Sequence, residues 1–308
     1  MCKAPRVSVL IPSYNYAHFI EDAIHTVLDQ TFQDFELIIV DNQSTDDTEQ
    51  IIQKYLTDER VLYFKNPVNI GLVGNFNKCM EYARGEYIKF LMADDRFHPT
   101  LLEKCVGVLD KFPSVSLITS YRETFGLKSK TLKPLLEGLQ PGKRVIEQSI
   151  INGRGNWIGE PTTVMFRKSA ANSIWFDASF YCLTDLDMWL KLLCKGDCFI
   201  IPETLSYFRL HEMQASNSRD VKNKFDEYFF YKRITTNNNY GVDIESVDLN
   251  GTIKAKATGC VKAVFKILPF SYKKEKLDLV VHGFKIGYTE GVLIRAIMQL
   301  FKIKDQVK

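Results

Sequence analysis

Long apolar runs, a cysteine framework and a glycine-rich dinucleotide loop are all missing from these 308 residues, and each absence removes a class of function. The N-terminal stretch MCKAPRVSVLIPSYN holds only about five consecutive apolar residues before Pro12, too few for the core of a secretion signal and far too few to span a bilayer. An exported chain is therefore not expected. Seven cysteines form an odd, scattered set without a CxxC pair. Neither a disulfide scaffold nor a zinc knuckle is indicated, and a reducing cytoplasm suits them. Gly71 and Gly74 build no G-x-G-x-x-G, which disfavours a nicotinamide cofactor. No internal repeat or low-complexity tract is visible.

What is present is enough apolar residue, 45%, for a sizeable core. The net charge of +3 hides a division: residues 251 to 308 carry 12 Lys+Arg against 4 Asp+Glu, a surplus of +8, which leaves −5 on residues 1 to 250. Body and tail are expected to face different partners.

The first 120 residues alternate short apolar runs with helical periodicity. VSVLI (Val7 to Ile11) is followed by a helix with Ile20, Ala23, Ile24, Val27 and Leu28 on one face. FELIIV (Phe35 to Val40) leads through DNQST into a helix with Ile51, Ile52, Tyr55 and Leu56 inward, where Ser44 is the expected N-cap and Asp47 completes a capping box. VLYF, a helix over Leu72 to Ala83, YIKFLM, a helix opened by Pro99, and VSLIT continue the pattern. Successive β-α units predict an α/β fold with a mainly parallel, doubly wound sheet flanked by helices. From Ser120 to Arg154 the pattern fades, and a surface loop or a small hairpin is expected. TTVMFRK reads as a strand, TDLDMWLKLLCK as a helix with Leu186, Trp189, Leu190 and Leu193 inward, and CFIIPETLSYFRLH as strand, turn, strand.

Three polar clusters fall just past apolar strands: PSYN, DNQSTDD and ADD. In a parallel sheet those ends share one edge, so sequence-distant groups converge on one crevice. Asp94 and Asp95 are adjacent carboxylates that repel unless a cation or hydrogen-bond donors compensate. A hard divalent cation shared with substrate phosphates answers that need; a solvated turn before a helix is the plainer alternative.

The ordered series SVLIPSYN, VDNQSTDDT, NIGLVGNFN, MADD, NWIGEPTTVMFRK, TDLDMWLKL and FRLHEMQAS, across roughly residues 5 to 217, resembles an inverting family 2 glycosyltransferase with the GT-A fold. The resemblance implies a Rossmann-like catalytic domain over residues 1 to 220, with a mainly helical basic region over 221 to 308. It implies that Asp41 contacts the donor base, usually uracil, and that Pro12, Ser13 and Tyr14 line the nucleotide pocket. Asn69, Gly71 and Asn75 would lie against the donor. Ala93-Asp94-Asp95 occupies the place of the DXD motif, so Asp95, the last carboxylate, would bind Mn²⁺ or Mg²⁺ and Asp94 would reach the ribose or the metal. Asp185 falls where the family carries its catalytic base, and Arg209 and His211 would reach the diphosphate or the metal. Trp157, Gly159 and Glu160 would border the acceptor pocket.

These residue types suit the chemistry. A cation bridging the departing diphosphate stabilises charge where it develops, and a carboxylate on the other face of the sugar takes the acceptor proton. Asp185 sits at a helix start, where the dipole favours ionisation, while burial beside Trp157 or Trp189 opposes it. Plainer readings stand beside these. Asp187 closes a capping box with an N-cap Thr184, His211 is a structural histidine, and Gly153, Gly155 and Gly159 punctuate a loop. Thr184, Asn42 and Gln43 depart from the family's more usual residues.

The expected activity is transfer from a UDP-sugar to a glycan or lipid-linked acceptor in surface polysaccharide synthesis. A sugar nucleotidyltransferase is disfavoured, since SVLIPSYNYAHF has no glycine-rich loop with arginine. A non-catalytic carbohydrate-binding relative is disfavoured by Asp41, Asp94, Asp95 and Asp185 occurring together. In the tail, Val292, Ile294, Ile297, Met298 and Phe301 have helical periodicity, but Lys and Arg interrupt every window long enough to span a bilayer. Peripheral contact with the inner face of the plasma membrane is one expectation, and packing on the body or on a second copy is the other. No motif supports nucleic-acid binding.

Overall fold

The computed structural model describes residues 4–152, 156–180, 182–212, 221–236, 239–241, 248–267, 274–293 and 296. Gly153, Gly155 and the tail positions Ile294, Ile297, Met298 and Phe301 lie outside them. The chain divides into two compact units, the first comprising Met1–Ser149, Asn156–Ala178 and Thr184–Glu212, the second Ile150–Gly155, Ser179–Leu183 and Met213–Lys308.

The first unit is a mixed, mostly parallel sheet with flanking helices, the GT-A arrangement expected from the sequence. β1 (Val7–Ser13) is buried along its whole length, as a strand covered on both faces must be. α1 (Ile20–Leu28) buries Ile20, Ala23, Ile24 and Val27, one stripe of a 3.6-residue period. β2 (Phe35–Asp41), α2 (Thr48–Gln53), β3 (Val61–Lys65), α3 (Gly71–Tyr82) and β4 (Tyr87–Phe90) complete the alternating run. β1 pairs in parallel with both β2 and β4, and Ser13 stands opposite Asp41, so the strand ends align at one edge.

After the short β5 (Arg96–Phe97) and α4 (Leu101–Lys111), β6 runs from Val115 to Gly126, well past the expected VSLIT. The weakly patterned stretch contains a hairpin: β7 (Lys130–Leu132) folds back antiparallel on β6. β8 (Gly138–Gln140) and α5 (Gly142–Asn152) follow; that helix was not expected. β9 (Met165–Arg167) lies antiparallel between β4 and β6. α6 (Thr184–Leu193) then leads to β10, Asp197–Leu210, which is one long strand beside β6 rather than two strands and a turn. Its register shifts between Ile201 and Thr204, so Pro202 sits in a bulge, where a residue without an N–H is tolerated. Two caps also differ from expectation. Asp47, not Ser44, precedes α2, because Ser44 is drawn to Asp41; and Thr184 is itself helical while Asp187 pairs with Lys191 at 2.5 Å.

The second unit contains α7 (Val221–Thr236), α8 (Leu249–Ile267) and α9 (Lys274–Thr289). Ile253, Cys260, Val261, Val264 and Ile286 are buried among them. Gly283 and Gly287 lie one turn apart on α9, and a Cβ on either would come within 2.4 Å of Val264 or Val261, so only glycine permits this approach. Among the described residues no helix is long and apolar enough to cross a membrane.

Candidate active site

The polar ends of β1, β2 and β4 meet on the carboxyl edge of the sheet in the first unit. Asp41 closes β2 fully buried, its Oδ1 accepting from the Ser44 N–H (2.9 Å) and hydroxyl (2.5 Å) and its Oδ2 from the Tyr63 hydroxyl at 3.1 Å. Asn42 is buried and ties this end to the following loop. Its Nδ2 donates to Asn69 Oδ1 (2.8 Å), and its Oδ1 accepts from Ile70 N–H (2.9 Å) and Asn66 (3.1 Å). Asn75 belongs to the same buried network, donating to Val40 O at 3.0 Å and accepting from Asn66 at 3.0 Å. Of the three residues expected against a donor, Asn69 and Gly71 therefore stand on the loop surface and Asn75 beneath it. Pro12 is buried, Tyr14 is exposed, and Ser13 is buried with no hydrogen-bond partner for its hydroxyl among the described residues.

The adjacent carboxylates past β4 have different surroundings. Asp95 is fully buried, its Oδ2 accepting from the Thr162 hydroxyl at 2.6 Å and its Oδ1 from the Arg209 N–H at 2.9 Å. Burial first, and then the charge of Asp94, push its carboxyl well above the ordinary range. Asp94 meets His211 instead, Oδ2 to Nε2 at 2.9 Å. The Tyr16 hydroxyl is held protonated well beyond its usual range by burial and by these two carboxylates. Arg209 is clamped from several sides. Its Nε donates to Asp94 O (2.8 Å), its terminal nitrogen pairs with Asp22 (2.5 Å), and its guanidinium lies over Phe125 and Phe19, 4.4 and 5.0 Å from the ring centres. The side chain thus joins β10 to the Asp94 loop and to α1. Beneath the loop, Lys89 is fully buried and donates to Thr162 O and Val164 O.

The third group forms around α6. Asn156 donates to Asp185 Oδ2 at 2.8 Å and to Gly159 O at 2.8 Å, and Trp189 Nε1 donates to Gly159 O at 2.9 Å. Gly159 has φ +134°, and a Cβ there would come within 2.8 Å of Thr163, so the turn that seats Asn156 needs glycine. Asp185 is pushed up to about 7. Burial raises it against the hydrogen bonds from Asn156 and the Leu186 N–H, and the charge of Glu160 raises it further. Burial therefore outweighs the helix start. Glu160 pairs with Arg122 at 2.5 Å, and its charge acts on Asp95 as well as on Asp185. Trp157, in the same turn, is buried.

Sequence reasoning missed Asn156, Thr162 and Arg122. The first two stand inside the quoted NWIGEPTTVMFRK, next to residues that were singled out, whereas Arg122 lies where the pattern had faded.

The comparison with known families decides where these residues belong: the family model of Glycosyl transferase family 2 matches residues 8–175. The chain belongs to glycosyl transferase family 2. It is a GT-A-fold glycosyltransferase acting on nucleotide-sugar donors. Among curated proteins it is 32% identical, over 232 residues, to the putative teichuronic acid biosynthesis glycosyltransferase TuaG of Bacillus subtilis, covering 75% of this chain and 88% of that one. Among solved structures it is similar in fold to S. aureus TarS 1–349 in complex with UDP-GlcNAc, with TM-score 0.67 and 18% identity over 94% of this chain and 81% of that one. It is also similar to the mannosyltransferase PcManGT of Pyrobaculum calidifontis in complex with GDP-Man and Mn²⁺, with TM-score 0.59 and 14% identity over 98% and 89%.

The similar PcManGT structure holds Mn²⁺. Asp94 offers a carboxylate oxygen, which suits Mn²⁺ or Mg²⁺, with the His211 ring nitrogen beside it, a donor a transition ion such as Mn²⁺ accepts more readily than Mg²⁺ does. Both oxygens of Asp95 already accept from protein donors. Among the described residues no group of three or more His, Cys, Asp or Glu is placed to hold a metal. The fit is therefore to an ion completed by substrate phosphates and water, as hard cations in phosphate sites usually are.

Proposed function

We propose that this chain transfers a sugar, with inversion, from a UDP-linked donor to a surface-glycan or lipid-linked acceptor, using Asp185 as general base. The observation that carries this reading is the Asp185 carboxyl, fixed by Asn156 and raised to about 7, beside Glu160, whose charge also acts on Asp95. A carboxylate of that basicity takes a hydroxyl proton near neutrality more readily than one of ordinary acidity, and such assistance is typically worth roughly 10² to 10⁴ in rate. The UDP-GlcNAc in the similar TarS structure and the teichuronic acid assignment of TuaG support the donor and acceptor classes.

In this reading Pro12, Ser13, Tyr14 and Asp41 shape the nucleotide end, and the unpaired Ser13 hydroxyl is a donor waiting for a partner there. Asn42 and Asn75 hold the loop that presents Asn69 and Gly71. Asp94 and His211 hold the divalent cation, which, when bound, neutralises charge on the departing diphosphate. Asp95 keeps Thr162 and the Arg209 backbone in place behind them, and Arg209 braces Asp94 through its carbonyl. Trp157, Gly159 and Glu160 border the acceptor side. The test is a thermal-shift panel of nucleotide-sugars with and without Mn²⁺, followed by transfer assays with the best donor. Asp185→Asn is expected to keep donor binding and lose transfer; a fully active variant would reassign the base.

The +8 surplus of residues 251 to 308 supports peripheral attachment to an anionic membrane face from the cytoplasm. Truncation at residue 250 should abolish co-sedimentation with phosphatidylglycerol vesicles, and unchanged binding would remove the idea.

A further inference from the structure

Arg122 is a buried arginine inside a strand. It lies on β6 opposite Ser206 of β10, its side chain is 8% exposed, and its Nε meets Glu160 Oε2 at 2.5 Å. A buried guanidinium is costly to desolvate, and among the described residues Nε and Oε2 have no hydrogen-bond partner, so this is a charge contact, and removing one partner strands the other's charge. Glu160 in turn belongs to the Asn156–Thr163 turn, where its carbonyl accepts from the Thr163 N–H at 2.8 Å. Asn156 at the head of that turn donates to Asp185. A single short segment therefore carries both the hydrogen bond that orients the base and the carboxylate nearest to it in charge.

We propose that Arg122 is a positioning residue for the transfer step: by clamping Glu160 it fixes the turn that holds Asn156 on Asp185 and limits the negative charge facing that base. The inference rests on Asp185 as the base. Among the described residues, the charges near Asp185 are these. Glu160 comes from the turn, Arg122 stands behind Glu160 on β6, and on α6 itself Asp187 and Lys191 pair with each other at 2.5 Å. Burial already lifts the Asp185 carboxyl, and Glu160 adds to that lift. A Glu160 without its guanidinium would raise Asp185 further and leave it protonated near neutrality, unable to accept a proton. Arg122 thus keeps the base strong enough to work and acidic enough to be ionised.

The experiment titrates the protein without substrate. Carboxyl ¹³C shifts of ¹³C-aspartate-labelled protein are followed against pH, with the Asp185 resonance assigned by its loss in Asp185→Asn. Arg122→Met is expected to raise the Asp185 midpoint by roughly one pH unit or more. Arg122→Lys, which keeps the charge, should stay near the wild-type midpoint. Glu160→Gln should lower it, and adding Arg122→Met to Glu160→Gln should cause no further rise. An unchanged midpoint in Arg122→Met, or a rise that persists in the Glu160→Gln background, overturns the proposal. If Arg122→Met fails to fold, Glu160→Gln alone decides, since an unmoved Asp185 midpoint in that variant overturns it equally. The titration is independent of turnover: were Asp185→Asn to retain transfer, the base assignment would fail while the measured coupling stood.

Discussion

Replacing Asp185 with Asn is expected to stabilise the first unit, by an amount that grows with pH. The Asp185 carboxyl rises from 3.8 to about 7 on folding, so between those values the native state binds a proton that the unfolded chain has released. The corresponding stability is fully present below about pH 4 and is lost as pH rises through about 7. A shift of about 3 pH units, at 1.36 kcal/mol each, makes the ionised native state about 4 kcal/mol less favourable than a neutral one. Asn cannot ionise and keeps an oxygen for Asn156, so the variant escapes that cost while the turn stays seated. All three tryptophans, Trp157, Trp175 and Trp189, belong to the first unit. Urea unfolding followed by tryptophan fluorescence therefore reads this unit directly. The variant and the wild type should coincide near pH 4 and diverge by about 4 kcal/mol by pH 8, equivalent to a rise in melting temperature of about 10 °C for a unit of this size. The same substitution should reduce transfer by roughly 10² to 10⁴. Such a trade of stability for activity marks a group held in an unfavourable state for its chemistry. A stability difference that is constant with pH, or a variant weaker than wild type at pH 8, would refute the argument.

On the pH dependence of kcat/KM, the acid limb should fall roughly tenfold per unit below about 7, because only ionised Asp185 accepts a proton; a limb near 4 would mean the base lies elsewhere. Asp94→Ala and His211→Ala should each remove the Mn²⁺-dependent part of the thermal shift caused by UDP, leaving the shift with UDP alone. The Lys89 amine is lowered from 10.5 to about 7 by burial, so wild-type stability should rise by up to about 5 kcal/mol as pH goes from 7 to 10.5. Lys89→Met should lack that rise in matched urea titrations. Gly159→Ala places a Cβ within 2.8 Å of Thr163 at φ +134°, which should cost on the order of 1–3 kcal/mol and lower kcat more than donor affinity.

Much of the fold was legible because it rests on local pattern. VSVLIPS and FELIIVD are continuous apolar runs between amphipathic helices, and their burial on both faces is what such runs require. The misreadings share a cause: long-range pairing that overrides a local signal. Pro202 reads as a turn until β6 is alongside, when a bulge absorbs it within one strand. Ser44 reads as a cap until Asp41, three residues earlier, takes its hydroxyl. Arg122 carries no signal at all, because its partner is 38 residues further on and a buried arginine in a strand looks like a surface one.

The site follows the same division. That Asp41, Asp94 and Asp95 stand at or past the ends of parallel strands, and Asp185 in the first turn of a helix, follows from patterns visible in the sequence. Which of the two adjacent carboxylates has both oxygens taken by protein donors does not, since Asp94 and Asp95 have the same chemistry and differ only in what β10 and the Thr162 turn bring to them; the resemblance alone gave the ion to Asp95, whereas the proposal above gives it to Asp94. Thr162 and the Arg209 backbone occupy both oxygens of Asp95, while His211, two residues beyond Arg209 on the same strand exit, meets Asp94. The alternation of a strand decides the roles: once the Arg209 N–H is committed to Asp95, the chain two residues later delivers an imidazole to the neighbouring carboxylate. If that coupling is real, Thr162→Val, which deprives Asp95 of its hydroxyl donor, should weaken Mn²⁺-dependent binding of UDP while leaving Asp94 and His211 untouched in sequence. Equal metal dependence in that variant would show that Asp94 and His211 are positioned without the help of Asp95.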